Sequence, residues 1–175
     1  HQKERQRALV FLTRARDTAL ATGRNELLAE IRGQRGTVLA ALGQRDAAIA
    51  ELELALADAE RVGDSLRVYR TLNDLAIERL QRGEMAAGEA LLERALLAAG
   101  PAGVRPLVVL GNLAEVQTLR GRPDLAERNL ASLLELAKAV QDMLQDGRID
   151  MGHARALLGV GKAKQVELAE QVAAK

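Results

Sequence analysis

The chain has no cysteine and no tryptophan, and its 175 residues include only one phenylalanine, one tyrosine and three prolines. Without cysteine there is no disulfide framework, no thiol nucleophile and no cysteine-based zinc site. With Phe11 and Tyr69 as the only aromatics, the chain cannot build a stacking platform for single-stranded nucleic acid. The core must come from Leu, Ala, Val and Ile, and the shortage of β-branched residues argues against sheets. No charge sign dominates: 25 basic residues face 24 acidic ones, a net charge of +1. The chain as a whole therefore carries no strong field to attract nucleic acid or an anionic membrane. It also lacks an apolar run long enough to span a bilayer and any signal-peptide pattern. A 48% hydrophobic content excludes disorder by composition. The sequence starts at His1 rather than Met, so a trimmed piece of a larger protein is expected, with the cytoplasm as default location.

A repeat is present. Three stretches align: Leu42-Gly43-Gln44-Arg45-Asp46-Ala47-Ala48-Ile49, Arg82-Gly83-Glu84-Met85-Ala86-Ala87-Gly88-Glu89, and Arg120-Gly121-Arg122-Pro123-Asp124-Leu125-Ala126-Glu127. Each has a glycine, a polar start and a small residue five places on, then runs into an Ala/Leu-rich segment. Glycines recur at 43, 83, 121 and 161. Apolar residues are spaced helically in Glu26–Ala41, Ser65–Gln81 and Val104–Arg120. Gly43, Gly83 and Gly121 are expected to end first helices as left-handed caps. Pro123 suits the first turn of the following helix. Lys3–Thr22 reads as the second helix of an earlier repeat. The apolar run Leu130, Leu133, Leu134 closes the third one.

These residues resemble tetratricopeptide repeats, in which small residues mark close helix crossings. Gly36, Gly43, Ala48 and Ala55 match that pattern; so do Ala76, Gly83, Gly88 and Ala95, and then Ala114, Gly121 and Ala126. The resemblance implies an all-α fold, a right-handed α-solenoid of antiparallel hairpins over residues 1–139, with 140–175 as a fourth hairpin or cap. It further implies a non-enzymatic protein- or peptide-binding scaffold, part of a bacterial regulatory protein. Its concave face would be lined by Glu30, Arg70, Asn73, Asn112 and Glu115.

The last segment carries a second resemblance. Gly147-Arg148-Ile149-Asp150-Met151-Gly152-His153-Ala154-Arg155-Ala156-Leu157-Leu158 closely resembles a stretch of the ParB family of chromosome-partition proteins. There the stretch follows the helix-turn-helix and helps form the DNA-binding domain. The resemblance implies that Gly152, His153 and Arg155 lie near DNA. Locally it implies helices near Val140–Gln145, Met151–Leu158 and Ala163–Ala174. No helix-turn-helix of that family is read upstream, and a junction is placed near Ala137–Gln141. Gly161 keeps the repeat phase, so a diverged repeat is the other explanation of this segment.

No catalytic, cofactor or metal residues are assigned, and the chain is read as no enzyme. Paired acids such as Glu51/Glu53 and Asp146/Asp150 are read as solvated surface. Gly159-Val160-Gly161-Lys162 lacks the spacing of a phosphate loop. The expected partner is a protein or peptide; nucleic acid and membrane are not expected partners. The uncapped N-terminal helix is expected either to self-associate or to be covered by upstream sequence in the parent protein. The competing readings are a DNA-associated module acting through the ParB-like tail, and a chimera of array and ParB fragment without evolved function.

Overall fold

The computed structural model describes residues 2–104, 106–127, 137–149, 151–157 and 160–174. The described residues are helical and contain no strand. In chain order the helices are α1 (Gln2–Ala21), α2 (Leu28–Ala41), α3 (Arg45–Val62), α4 (Ser65–Gln81), α5 (Met85–Ala99) and α6 (Leu107–Leu119). A helical stretch at 123–127 follows, then α7 (Lys138–Gln145), α8 (Met151–Leu157) and α9 (Lys162–Ala173). The expected run Leu130, Leu133, Leu134 lies outside the described residues, as do Asp150, Leu158 and Gly159.

Most helices fall where the apolar spacing puts them, and the differences have local causes. Asn25–Leu27 is a 3-10 turn, so α2 starts two residues later than expected. α6 starts at Leu107 instead of Val104 because Pro106 lies ahead of it. α4 begins at a true cap, where the Asp64 carboxylate accepts from the Arg67 N–H at 3.0 Å.

The turns are more regular than the sequence comparison suggested. Left-handed glycines stand at 23, 43, 63, 83, 103 and 121, so nearly every twentieth residue reverses the chain. At Gly43 the bonds are Gln44 N–H to Leu39 C=O at 2.9 Å and Gly43 N–H to Ala40 C=O at 2.9 Å. This double closure satisfies helix-end carbonyls that would otherwise be orphaned. Gly161 breaks the series. Its backbone is extended (φ −64°, ψ 153°), and it caps the start of α9 rather than the end of a helix.

The chain divides into two compact units, His1–Gly88 and Glu89–Lys175, with the division inside α5. In the first unit α2 packs on α1 and α3, and α3 on α4. The small residues do what their size allows. A Cβ on Gly36 would sit 2.6 Å from Leu52 Cγ and 3.3 Å from the Ala48 carbonyl, so α2 and α3 cross there at backbone range. Gly88 meets Leu80 and the Ala76 carbonyl in the same way. Ala48, Ala55 and Ala76 are fully buried beside Leu52, Leu72 and Leu75.

An ion-pair seam crosses α1–α3. Arg35 of α2 donates to Thr13 of α1 and pairs with Glu51 of α3 at 3.2 Å. Arg16 of α1 reaches the same Glu51 oxygen at 3.3 Å. Arg32 pairs with Asp58 at 2.5 Å, and Arg61 joins Asp58 at 3.2 Å. Glu51 is therefore a carboxylate held between two guanidiniums, and the solvated-surface reading of it is corrected. Glu53 is exposed and pairs with Arg79.

The second unit buries Leu92, Ala95, Leu96, Val109, Leu110, Leu113 and Val116. It also contains α7, α8 and α9, which pack on one another.

Candidate nucleic-acid interface

The last three helices form a small apolar assembly. α7 buries Val140, Met143 and Leu144; Ile149 follows in the turn; α8 buries Ala154 and Leu157; α9 buries Ala169. One polar side chain lies among them. Gln165 is 3% exposed, accepts from the Ala137 N–H at 2.8 Å and donates to the Val160 carbonyl at 3.1 Å. Its amide thus satisfies backbone groups at the start of α7 and in the turn before α9, where an unpaired group would be costly.

Gly147 positions the turn between α7 and α8. Its φ is +69°, and the Arg148 N–H bonds back to the Met143 carbonyl at 2.9 Å. A Cβ there would lie 2.8 Å from the Gly100 carbonyl and 3.1 Å from Gly103 Cα. Two constraints therefore select glycine: the left-handed backbone and a backbone floor made by the loop after α5.

Among the described residues, the cations of this assembly lie outside. Arg148, His153, Lys162 and Lys164 are exposed, with Lys164 paired along α9 to Glu167 at 2.6 Å. Lys138 pairs with Asp142 on α7. α8 thus turns Ala154 and Leu157 inward and His153 outward. Asp146 is exposed beyond the end of α7.

A buried acid stands further up the same unit. Glu89 of α5 is 4% exposed and receives Arg120 and Arg122 on one oxygen and Gln117 on the other at 3.3 Å. Burial alone would push its pKa up. The hydrogen bonds from Arg122 and Gln117 and the two positive charges outweigh that and hold the carboxyl below its usual range. The partners are about thirty residues away in sequence, so no local pattern could have announced the cluster.

The five residues expected on a concave face are placed as follows. Glu30 is exposed on α2, accepts from Gln34 at 2.9 Å and pairs with Arg67 of α4 at 3.0 Å. Arg70 is exposed on α4, and the half-buried Asn73 donates to Asp74 at 3.5 Å. Asn112 is half-buried and Glu115 exposed on α6, which belongs to the other compact unit. Among the described residues no helix is long and apolar enough to cross a membrane, and no group of three or more His, Cys, Asp or Glu could hold a metal ion.

Residues 120–175 match the family described as ParB HTH domain. The matching relatives are probable chromosome-partitioning proteins ParB. That of Pseudomonas putida is 42% identical over 55 residues, covering 31% of this chain and 19% of the relative. That of Neisseria meningitidis serogroup A is 45% identical over 51 residues, covering 29% and 18%. That of Vibrio cholerae is 39% identical over 61 residues, covering 35% and 21%. The chain thus spans about a fifth of the length of these curated relatives. No solved structure matches.

The match corrects two expectations. A helix-turn-helix is an element that reads DNA, so the protein- or peptide-binding scaffold no longer stands as the reading, and nucleic acid can no longer be set aside as a partner. The scaffold expectation came from analogy of fold, which does not carry function. The match also begins at Arg120, well upstream of Gln141 where the resemblance was first legible.

Proposed function

We propose that the C-terminal part of this chain is a non-catalytic, DNA-associated module of ParB type. The observation that carries this reading is the match of residues 120–175 to the ParB HTH domain. By motif, Gly152, His153 and Arg155 are the DNA-proximal positions, all on α8. Support comes from His153 facing solvent while Ala154 and Leu157 anchor the helix, with the exposed Arg148 and Lys162 nearby in sequence.

A gel mobility shift with duplex DNA at low salt tests it. Retardation should weaken as salt rises, and Arg155→Ala should reduce it. Each phosphate contact removed lowers the slope of log affinity against log salt by about 0.9. No shift at low salt would sink the proposal.

We also propose that residues 1–88 carry diverged tetratricopeptide-like hairpins, with the sequence pattern running on to Gly121, where the family match of residues 120–175 has already begun. The support is the left-handed glycines at 43, 83 and 121 and the helix crossings at Gly36 and Gly88.

A further inference from the structure

The net charge of +1 conceals a local asymmetry on α1. That helix carries Lys3, Arg5, Arg7, Arg14 and Arg16. Two of these are engaged with neighbouring helices: the exposed Arg5 donates to the Ala41 carbonyl at 2.8 Å, and Arg16 belongs to the Glu51 seam. The other three share the outer face. At 3.6 residues per turn, Lys3, Arg7, Val10, Phe11 and Arg14 fall within an arc of about 100°. Glu4 and Asp17 lie at its two edges, with no acid inside it. All five arc residues are exposed, Val10 at 53% and Phe11 at 65%. Beside the stripe lies an open, mainly apolar hollow of about 500 Å³, walled by Ala8, Phe11, Leu12 and Val38 with Gln34 and Thr37.

We propose that this stripe docks on an anionic lipid surface, with Val10 and Phe11 entering the headgroup–acyl boundary and Lys3, Arg7 and Arg14 meeting the headgroups. The chemistry distinguishes lipid from the alternatives. Duplex DNA would engage the three cations but leave the two apolar side chains in water. A second copy packed about a two-fold axis would set three cations against three. An anionic bilayer uses all five, as interfacial helices with mixed basic and apolar residues do. The helix lies on the surface and spans nothing. This inference stands apart from the DNA reading, which concerns the other compact unit.

Co-sedimentation of the full chain with vesicles tests it. Vesicles of equal parts phosphatidylserine and phosphatidylcholine should bind the chain, pure phosphatidylcholine should not, and added salt should release it. Arg7→Gln with Arg14→Gln should weaken binding roughly thirtyfold, about fivefold per cation. Phe11→Ser should weaken it roughly fivefold to tenfold. The three substituted residues are exposed, so thermal melts by circular dichroism should be unchanged. Equal binding to both vesicle types would overturn the proposal. So would retardation of duplex DNA that requires Arg7 and Arg14 without vesicle binding, which would assign the stripe to DNA. Dimerisation abolished by Phe11→Ser, again without vesicle binding, would assign it to a second copy.

Discussion

Helices α1–α3 and helices α7–α9 are both sets of three packed helices with a left-handed glycine in the turn after the first helix, Gly23 and Gly147, yet they use charge in opposite ways. In α1–α3, Arg16, Arg32 and Arg35 are drawn inward and neutralised by Glu51 and Asp58. In α7–α9 the described interior holds one amide, Gln165, and the described cations Arg148, Lys162 and Lys164 stay outside. Counting charges therefore misjudges what each set offers a partner. The inward arginines of the first set fasten helices together, whereas Arg148 and Lys162 of the second face solvent. Whole-chain charge balance led to the expectation that nucleic acid is not a partner, and this is why it misled.

The comparison can be broken most sharply at the glycines. Gly147→Ala should destabilise the chain by roughly 2–5 kcal/mol, because left-handed strain adds to overpacking against a backbone carbonyl that cannot yield. Gly43→Ala shares the strain but has nothing within 4 Å of its Cβ. It should cost about 1–2 kcal/mol. Chemical denaturation of both variants measures the difference; equal losses would remove the Gly100 floor from the account.

Glu89→Gln should cost roughly 1–3 kcal/mol near neutral pH. The sign of its pH dependence is fixed by the depressed pKa. A carboxyl whose folded pKa lies below its unfolded value contributes stability above the unfolded value. That contribution fades as pH falls through the folded one. Wild-type and Glu89→Gln denaturation curves should therefore converge in acid, and a constant gap from neutral to acid pH would contradict the assignment. Gln165→Ala should cost about 1–3 kcal/mol, since it leaves the buried Ala137 N–H unpaired. Asp64→Ala should have the smallest effect, about 1 kcal/mol, as loss of an exposed-end cap. Asp64 is held low chiefly by the Arg67 N–H, so this contribution too should shrink in acid.

The sequence made some of this legible. Helical spacing placed α4 at its observed ends, and the small residues at 36 and 88 marked two close crossings. These signals are local, set by one helix or one hairpin. The Glu51 seam and the Glu89 cluster join residues 16 to 35 positions apart, whose registers only packing decides. The glycine rhythm was visible at 43, 83 and 121 as a spacing of about forty residues; the glycines at 23, 63 and 103 close the same doubly hydrogen-bonded turn but stand among different flanking residues, so they did not align. At the candidate interface, the distinctive string Gly147–Leu158 was readable. The part of the match from Arg120 to Val140 was hidden in an Ala- and Leu-rich stretch that any helix could carry.

The Glu89 cluster has a practical consequence for dissection of the chain. A piece cut at Arg120, where the family match starts, would lose the acid that holds Arg120 and Arg122 and the loop on which Gly147 rests. A piece cut at Glu89 keeps both. Limited proteolysis should therefore leave a resistant product starting near the exposed turn at Arg82–Gly83, ahead of α5, rather than near 120, because the compact unit is longer than its recognisable ancestry.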